Sequence, residues 1–209
     1  MKLVVALQLR SLDDVRKVRE IDADFVELRV DYLEKPETFD PSVLEEFKDK
    51  VIVTIRDPSE GGVRKVDDGW KARTLKRLHD MGVKYDVEAR FLRKFSDVPH
   101  EGEIVSVHYF DRVPSVSEVE EALRGFESAW VRKIAVIGKP GYKELLAKFA
   151  GKGFAVMPMA VNPLERIAFA VLGSELVYAS LGEGMETAPG QMDYRKAKEL
   201  LKCLGLIQG

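Results

Sequence analysis

Charged side chains lie where short apolar runs of this sequence end, and they fall in pairs. Glu27 and Arg29 close one run, and Asp86 and Glu88 close another. Because side chains alternate along a strand, the members of each pair point to the same face. Charges in an apolar strand are costly unless they are paired or used in chemistry. One interpretation is a buried ion-pair network. Several such pairs around one opening favour a binding or catalytic site instead, because clustered charges cost desolvation free energy without adding stability.

His108 is the side chain best suited to proton transfer. It closes the run Ser106-Val107-His108, whereas His79 falls within a helical segment and His100 in a predicted turn. An unperturbed imidazole, with a pKa of about 6.5, accepts and returns a proton near neutrality. The competing interpretation is a hydrogen-bonded core histidine. A metal site is not predicted, because the sequence has no His-x-x-x-His or Cys-x-x-Cys spacing.

Two lysines are candidates for an amine nucleophile. Lys133 begins the apolar run that continues to Ile137, and Lys139 lies just past its end. A lysine inside a barrel would be desolvated, which favours the neutral amine that attacks a carbonyl. Position alone leaves both open: catalytic groups at strand ends favour Lys139, whereas Lys133 has to point inward and extend along the barrel axis. A solvated lysine remains the alternative for each.

A glycine-rich segment, Leu181–Gln191, follows the last apolar run. We expect its Gly182–Gln191 part to be a flap that is mobile without ligand and ordered with it. A plain loop is the alternative.

The composition narrows the classes of protein. With 209 residues, 45% hydrophobic and 33% charged, the chain is expected to form one domain, 1–209. A net charge of -2 gives no field to recruit nucleic acid or an anionic membrane. Without a run of ~20 apolar residues or a signal segment, a cytoplasmic location is expected. The only cysteine, Cys203, excludes an intramolecular disulfide and is expected to be a buried, inert thiol on a helix.

Short, β-branched apolar runs recur along the whole chain and predict strands buried on both faces. The predicted strands are Leu3–Leu7, Phe25–Leu28, Val51–Ile55, Lys84–Val87, Ile104–Val107, Lys133–Ile137, Phe154–Met157 and Leu176–Ala179.

The segments between these runs have helical periodicity. Asp67 or Asp68 is a predicted cap for one helix, and Ser117 with Glu120 a predicted capping box for another. The segment Phe91–Asp97 is barely long enough for a helix. Strands alternating with helices predict a (β/α)8 TIM barrel with short loops. An open doubly wound sheet is second, because no Gly-x-Gly-x-x-Gly follows a strand.

The polar strand ends, taken in order, resemble the type I 3-dehydroquinate dehydratases, the Schiff-base class of 3-dehydroquinase. Each segment is weak by itself, and the ordered set is specific. The matching segments are Glu27–Asp31, Thr54–Arg56 with Glu60-Gly61-Gly62, Asp86–Glu88, Ser106–His108, Lys133–Val136, Gly173-Ser174 and Ala188–Gln191.

The resemblance implies a homodimeric barrel that converts 3-dehydroquinate to 3-dehydroshikimate without a cofactor. It implies that Lys133 rather than Lys139 forms an imine with the substrate ketone, that His108 is the general base and acid, and that Glu60 handles protons or binds substrate. Further residues implied to bind substrate are Glu27, Arg29, Arg56, Arg166, Thr187 and Gln191, with Asp86 and Glu88 supporting the lysine and histidine.

Departures from the family are visible, among them Val107, which precedes the histidine where relatives often carry a polar residue. The segment from Met159 to Arg166 lacks the usual glycine and serine, and Thr187 replaces a more usual serine.

Two other functions compete. A class I aldolase also uses a barrel lysine, but the sequence has no clear glycine-rich phosphate cradle, and Arg166 with Gln191 suits a carboxylate. A non-catalytic carboxylate-binding barrel would not require both Lys133 and His108.

Overall fold

Eight parallel strands form a nearly closed barrel in the computed structural model, which describes residues 1–208. The hydrogen-bonded order is β7-β6-β5-β4-β3-β2-β1-β8. The predicted barrel is therefore confirmed, and most strands extend one or two residues beyond their predicted ends. The strands are β1 Lys2–Gln8, β2 Phe25–Arg29, β3 Val51–Thr54, β4 Lys84–Glu88, β5 Ile104–Tyr109, β6 Val131–Ile137, β7 Phe154–Met159 and β8 Leu176–Ser180.

The strands β7 and β8 meet at a seam where side chains take over part of the hydrogen bonding. The Glu175 amide donates to the Phe154 carbonyl at 2.8 Å. Beyond this contact, the Ser174 hydroxyl accepts from the Val156 amide and donates to the Leu176 carbonyl, each at 3.0 Å. This serine thus satisfies buried backbone groups that a regular ladder would otherwise pair.

Helices cover the outside of the barrel, but the first two crossovers use 3₁₀ helices rather than α-helices. These span Leu12–Arg19 and, after β2, Val30–Tyr32, Pro36–Thr38 and Pro41–Phe47; a further one, Pro58–Glu60, precedes the first α-helix. The tighter 3₁₀ turns fit short connections in a chain near the lower size limit of this fold. The α-helices are α1 Asp68–Asp80, α2 Ala89–Lys94, α3 Val116–Leu123, α4 Tyr142–Phe149, α5 Leu164–Val171 and α6 Tyr194–Cys203.

The apolar core has two layers. The larger lies between the strands and the surrounding helices, with Val53, Val87, Leu75 and Leu201 among its members. The smaller layer fills the inside of the barrel toward the amino ends of the strands, with residues such as Ile104 and Val131. Polar side chains replace this filling toward the carboxyl ends of the strands, and this change in composition creates the site.

The predicted residues of one helix capping box were wrong. The capping box of α3 is formed by Ser115 and Glu118, not by Ser117 and Glu120: the Ser115 hydroxyl accepts from the Glu118 amide at 3.2 Å, and the Glu118 carboxylate accepts from the Ser115 amide at 2.7 Å. Both pairs have the same spacing, and the helix begins at the first of them. The cap of α1 is Asp67, one of the two predicted residues.

Cys203 is exposed, contrary to the expectation of a buried thiol. The helix α6 buries Tyr194, Ala197 and Leu201 on one side. Cys203 lies two residues beyond Leu201, and therefore about 200° around the helix from it.

No helix within residues 1–208 is both long and apolar enough to cross a bilayer.

Candidate active site

One cleft of about 430 Å³, open toward the strand ends, gathers side chains from across the sequence. Lys133, the third residue of β6, forms part of the floor of the cleft. Arg29 is the last residue of β2, and His108 is the last but one of β5. The predicted residues that line the cleft are Glu27, Arg29, Arg56, Glu60, His108, Lys133, Arg166, Thr187 and Gln191. Asp86 and Glu88 are buried behind this lining.

Lys133 is held among acidic and aromatic groups inside the barrel. Its Nζ atom lies 2.5 Å from Oδ2 of Asp86 and 3.9 Å from Oε1 of Glu27. The nitrogen also lies 4.3 Å from the centre of the Tyr178 ring. Lys139, the other candidate, is exposed and donates to the Asp111 carbonyl. The structure therefore places Lys133, not Lys139, in the cleft.

A buried network of charges connects the lysine to α1. Arg56 donates from Nη2 to Asp86 at 2.8 Å and lies 3.4 Å from Glu88, which pairs at 2.5 Å with Lys71. Burial alone would raise the pKa of Asp86, but the positive charges of Arg56 and Lys133 outweigh it and hold that pKa below its usual range. Asp86 is consequently an anion beside the lysine nitrogen.

His108 and Glu60 form a hydrogen-bonded pair at the side of the cleft, with 2.9 Å between Nδ1 and Oε2. Burial and the neighbouring Glu88 raise the pKa of Glu60 to about 7, against the opposing effect of Arg56 and Arg90. Burial lowers the pKa of His108, and the nearby Arg56 acts in the same direction. The imidazole is therefore neutral near pH 7, the form that accepts a proton.

The loop Asp57–Gly62 brings Glu60 to this position. Asp57 accepts from the Ser59 amide at 2.9 Å and so starts the 3₁₀ turn that carries Glu60. A Cβ atom at Gly62 would lie 1.9 Å from the carbonyl oxygen of Arg56, so only glycine fits there. The Glu60-Gly61-Gly62 motif thus has a steric reason.

Arg29 forms an ion pair with an acidic side chain, whereas Arg166 forms none within residues 1–208. Two nitrogens of Arg29 each donate to Asp31 at 2.8 Å. Arg166 donates to the Pro189 carbonyl at 3.1 Å, its Nε atom has no hydrogen-bond partner, and no acidic side chain in residues 1–208 forms an ion pair with it. Burial lowers the pKa of Arg166 to about 10. A buried guanidinium without an anion is expensive, which suits a site that receives one from a ligand.

The segment 182–191 lies over the mouth of the cleft. Within it, the Thr187 amide donates to Oε1 of Gln191 at 2.7 Å. The Thr187 carbonyl accepts from Arg29 at 3.3 Å, and the Glu186 carbonyl accepts from Gln8 at 3.0 Å. These side-chain contacts connect this mouth segment to β1 and β2, and the amide of Ala160, just after β7, donates to its Pro189 carbonyl at 3.2 Å.

Comparison with known proteins identifies the family of this chain. The model of the family "Type I 3-dehydroquinase" matches residues 2–140. A 3-dehydroquinate dehydratase of Sulfolobus acidocaldarius is 45% identical over 99% of this chain and 94% of its own length. The chain belongs to the type I 3-dehydroquinase family. It is accordingly a lyase, a 3-dehydroquinate dehydratase of the shikimate pathway.

Further similarities agree with this assignment. The 3-dehydroquinate dehydratase of Metallosphaera sedula is 41% identical over 97% of each chain. Among solved structures, a type I 3-dehydroquinate dehydratase from Clostridium difficile superposes with a TM-score of 0.80 over 97% of this chain and 92% of its own, at 21% identity. At that identity, the superposition supports the fold only.

Some residues in and around the cleft were not predicted from the sequence. Tyr178 on β8 lines the cleft, and its buried hydroxyl has no partner among residues 1–208. Alternation in β8 places it with Leu176 and Ser180, a signal that could have found it. Lys71 and Arg90 come from α1 and α2, and no strand pattern predicts that helix residues reach Glu88 and Glu60.

In the described part of the chain, no three histidine, cysteine, aspartate or glutamate side chains are grouped so that they could hold a metal ion.

Proposed function

We propose that this type I 3-dehydroquinase acts through an imine between Lys133 and the ketone of 3-dehydroquinate. The lysine nitrogen attacks the carbonyl carbon, and loss of water gives an iminium. His108 removes a proton from the adjacent carbon, and the electrons of that C–H bond move toward the iminium. These electrons then return and expel the hydroxyl group of the next carbon. His108 gives its proton to that hydroxyl group, which leaves as water. Hydrolysis of the imine then releases 3-dehydroshikimate and restores Lys133.

The observation that carries this proposal is the position of Lys133 in one cleft with His108 and with the unpaired guanidinium of Arg166. An iminium is an electron sink that acidifies the neighbouring C–H bond. Asp86, an anion 2.5 Å from the lysine nitrogen, stabilises a positive charge at that atom. The amine must lose its proton before it attacks the ketone.

Glu60 supports a general-base role for His108 by selecting its tautomer. When Glu60 is ionised, it can only accept, so Nδ1 of His108 must carry the hydrogen of their 2.9 Å bond. Nε2 then has a free lone pair and can take the substrate proton. When Glu60 is protonated, it donates to Nδ1, and Nε2 carries the hydrogen instead. Glu60 is therefore proposed to act on the proton transfer through His108.

The arginines and the mouth segment are proposed to hold the substrate. The planar guanidinium of Arg166 suits bidentate binding of the substrate carboxylate. Gln191 and Thr187 are proposed to contact the carboxylate from the mouth segment. Hydroxyl groups of the ring would be held by the charged side chains Glu27, Arg29 and Arg56, which line the other side.

Trapping the imine tests the proposal directly. The protein is incubated with 3-dehydroquinate and sodium borohydride, and its intact mass and peptides are analysed. We expect one reduced adduct on the peptide that contains Lys133, its absence in Lys133→Ala, and its persistence in Lys139→Ala. An adduct on Lys139 would keep the chemistry and overturn the assignment. The absence of any adduct in folded protein would remove the Schiff-base mechanism.

The class I aldolase alternative is tested in the same preparation. Its lysine imine would cleave a carbon–carbon bond of a keto acid, and an enzyme of that kind would show retro-aldol turnover faster than dehydration. We expect dehydration alone, and full activity of both Lys133→Ala and His108→Ala would contradict the residue roles.

A homodimer in the cytoplasm is the proposed assembly and location, on the basis of the family resemblance. Exposed apolar side chains on α5 and directly after it, namely Leu164, Val171 and Leu172, are consistent with an assembly face. Light scattering after size exclusion measures the assembly, and a monomeric mass would contradict the dimer.

A further inference from the structure

Arg90, the second residue of α2, connects two residues of the loop that carries Glu60. Its Nε atom lies 2.9 Å from Oε1 of Glu60, and its Nη2 atom lies 2.5 Å from Oδ1 of Asp57. The other carboxylate oxygen of Glu60, Oε2, is the one that meets Nδ1 of His108. The contacts therefore connect an arginine at the protein surface to the imidazole of His108 through the carboxylate of Glu60.

The position of Arg90 distinguishes it from the other cations of the site. Its side chain is 51% exposed, whereas that of Arg56 is 3% exposed. Arg56 also pairs with Asp86 and lies near Glu88, so its charge is shared. Among the described residues 1–208, Arg90 forms ion pairs only with Asp57 and Glu60.

The balance of charge around Glu60 shows why this contact matters. Burial and the anions Glu88 and Asp86 favour the protonated form of Glu60, and Arg56 and Arg90 favour the ionised form. The charged and titratable groups that face Glu60 are Arg56 from the end of β3, Asp86 and Glu88 from β4, Arg90 from α2 and His108 from β5, with Lys71 of α1 behind Glu88. Because these effects together place the pKa of Glu60 at about 7, removal of one cation changes the population of the ionised form near neutrality.

We propose that Arg90 is a positioning residue that keeps Glu60 ionised and thereby holds His108 in the tautomer whose Nε2 atom is free. This inference rests on the proposed role of His108 as the base. Arg90 itself does not line the cleft and does not touch the reacting atoms. It acts at a distance of two hydrogen bonds, through the carboxylate that both partners share.

The first test is the pH dependence of kcat/KM for dehydration by Arg90→Gln, Arg90→Lys and a charge-matched control, Lys94→Gln. Lys94 lies on the same helix and pairs with Asp68 at 2.6 Å, away from Glu60. In Arg90→Gln we expect the acidic limb to move to higher pH by roughly half a unit to one unit, because the guanidinium is partly screened by solvent. Activity at high pH should stay within about fivefold of the parent, and Arg90→Lys should restore most of the limb.

A purely structural role for Arg90 would lower activity at every pH without moving the limb, and Lys94→Gln would show the size of any unspecific charge effect. A limb in Arg90→Gln that coincides with that of Lys94→Gln, or that moves to lower pH, overturns the proposal.

The second test does not depend on turnover. Nitrogen-15 NMR of the histidine rings reports which nitrogen carries the hydrogen, and loss of a signal in His108→Gln assigns His108. His79, which pairs with Glu103 at 3.0 Å far from Arg90, serves as an internal reference. At pH 7 we expect a larger population with hydrogen on Nε2 of His108 in Arg90→Gln than in the parent, with no change at His79. Identical His108 spectra would overturn the proposal even if the protein dehydrated its substrate normally. A parent protein without activity would instead overturn the proposed function and leave this measurement decisive for Arg90.

Discussion

Lys133 and Asp86 form a deeply buried ion pair, with 2.5 Å between Nζ and Oδ2 and side-chain exposures of 5% and 0%. Asp86 also pairs with Arg56 at 2.8 Å, so one carboxylate compensates two cations inside the barrel. A pair of this kind adds little stability compared with an apolar core, but loss of one partner leaves uncompensated charge. Its value to the protein therefore lies in the position and charge of the lysine nitrogen.

Asp86→Asn is expected to damage both stability and imine formation. The amide keeps the shape but leaves Arg56 and Lys133 without their anion, at a cost of about 3 kcal/mol in the free energy of unfolding. Denaturant titration measures this cost, with Asp97→Asn as the control, because Asp97 is 67% exposed and, within residues 1–208, pairs only with Lys76. The control should leave the unfolding midpoint almost unchanged, because its ion pair is screened by solvent. Equal unfolding midpoints for the two variants would contradict the prediction.

The activity should fall as the pH drops through about 7, the pKa to which burial raises Glu60. Above this pH the carboxylate is ionised and accepts from Nδ1 of His108, so Nε2 is free to act as the base. Below it the protonated Glu60 donates to Nδ1, and kcat/KM should decrease by about tenfold per pH unit. Glu60→Gln, which cannot ionise, should have lower activity and no limb near pH 7. A limb that is the same in parent and Glu60→Gln would assign the titration to another group.

Much of this site could be predicted because its residues lie on strands. The alternation that places Glu27 with Arg29 and Asp86 with Glu88 is a local property, and parallel strands bring their carboxyl ends to one opening. Lys133 could not be distinguished from Lys139 by position, since the inward direction of its side chain depends on the register of β6 between β5 and β7.

Two helix residues that contact acidic groups of the site were not found by sequence reasoning. Lys71 and Arg90 reach acidic groups of the site from helices. Such contacts depend on how the helices pack on the barrel, which no short-range pattern encodes. The helix boundary at Ser115 and the exposure of Cys203 were missed for a simpler reason. Two serine–glutamate pairs with the same spacing could each form the capping box, and the apolar residues of α6 allowed the buried side of the helix to be assigned in two ways.

Replacement of Arg166 should affect stability and activity in opposite directions. The guanidinium is buried, and within residues 1–208 no acid pairs with it. Arg166→Met should therefore raise the free energy of unfolding by about 1 kcal/mol or more, while kcat/KM falls by roughly 100-fold or more if Arg166 binds the substrate carboxylate. Arg166→Lys should recover only part of the activity, because an ammonium cannot bind bidentately. Denaturant unfolding and steady-state kinetics measure the two effects, and a variant that is both less stable and fully active would contradict the assignment.

Ala160, in the segment where the family's usual glycine is missing, has a φ of 55°, in the left-handed region. Its amide still donates to the Pro189 carbonyl at 3.2 Å and so connects β7 to the mouth segment. An alanine in this conformation is strained by about 1 kcal/mol, so Ala160→Gly should stabilise the protein by roughly 0.5 kcal/mol after the greater freedom of glycine in the unfolded chain is counted. Ala168→Gly, at an exposed position of α5, should instead destabilise it by about 0.5–1 kcal/mol. Thermal or denaturant unfolding of both variants checks the sign, and destabilisation by both would rule out strain at Ala160.

The segment 182–191 should become protected when the cleft is filled. It is tied to the barrel by a few side-chain contacts, such as Gln8 to the Glu186 carbonyl at 3.0 Å, and Glu183 within it is exposed. A Glu-specific endoproteinase should cleave after Glu183 in the free protein and at least about tenfold more slowly in protein carrying the borohydride-reduced adduct, because a bound substrate adds contacts to Thr187 and Gln191 and disfavours the open state. Glu101, exposed in the turn before β5, provides the reference site and should be cleaved equally in both forms. The same rate at Glu183 with and without the adduct would show that this segment is a fixed loop rather than a flap.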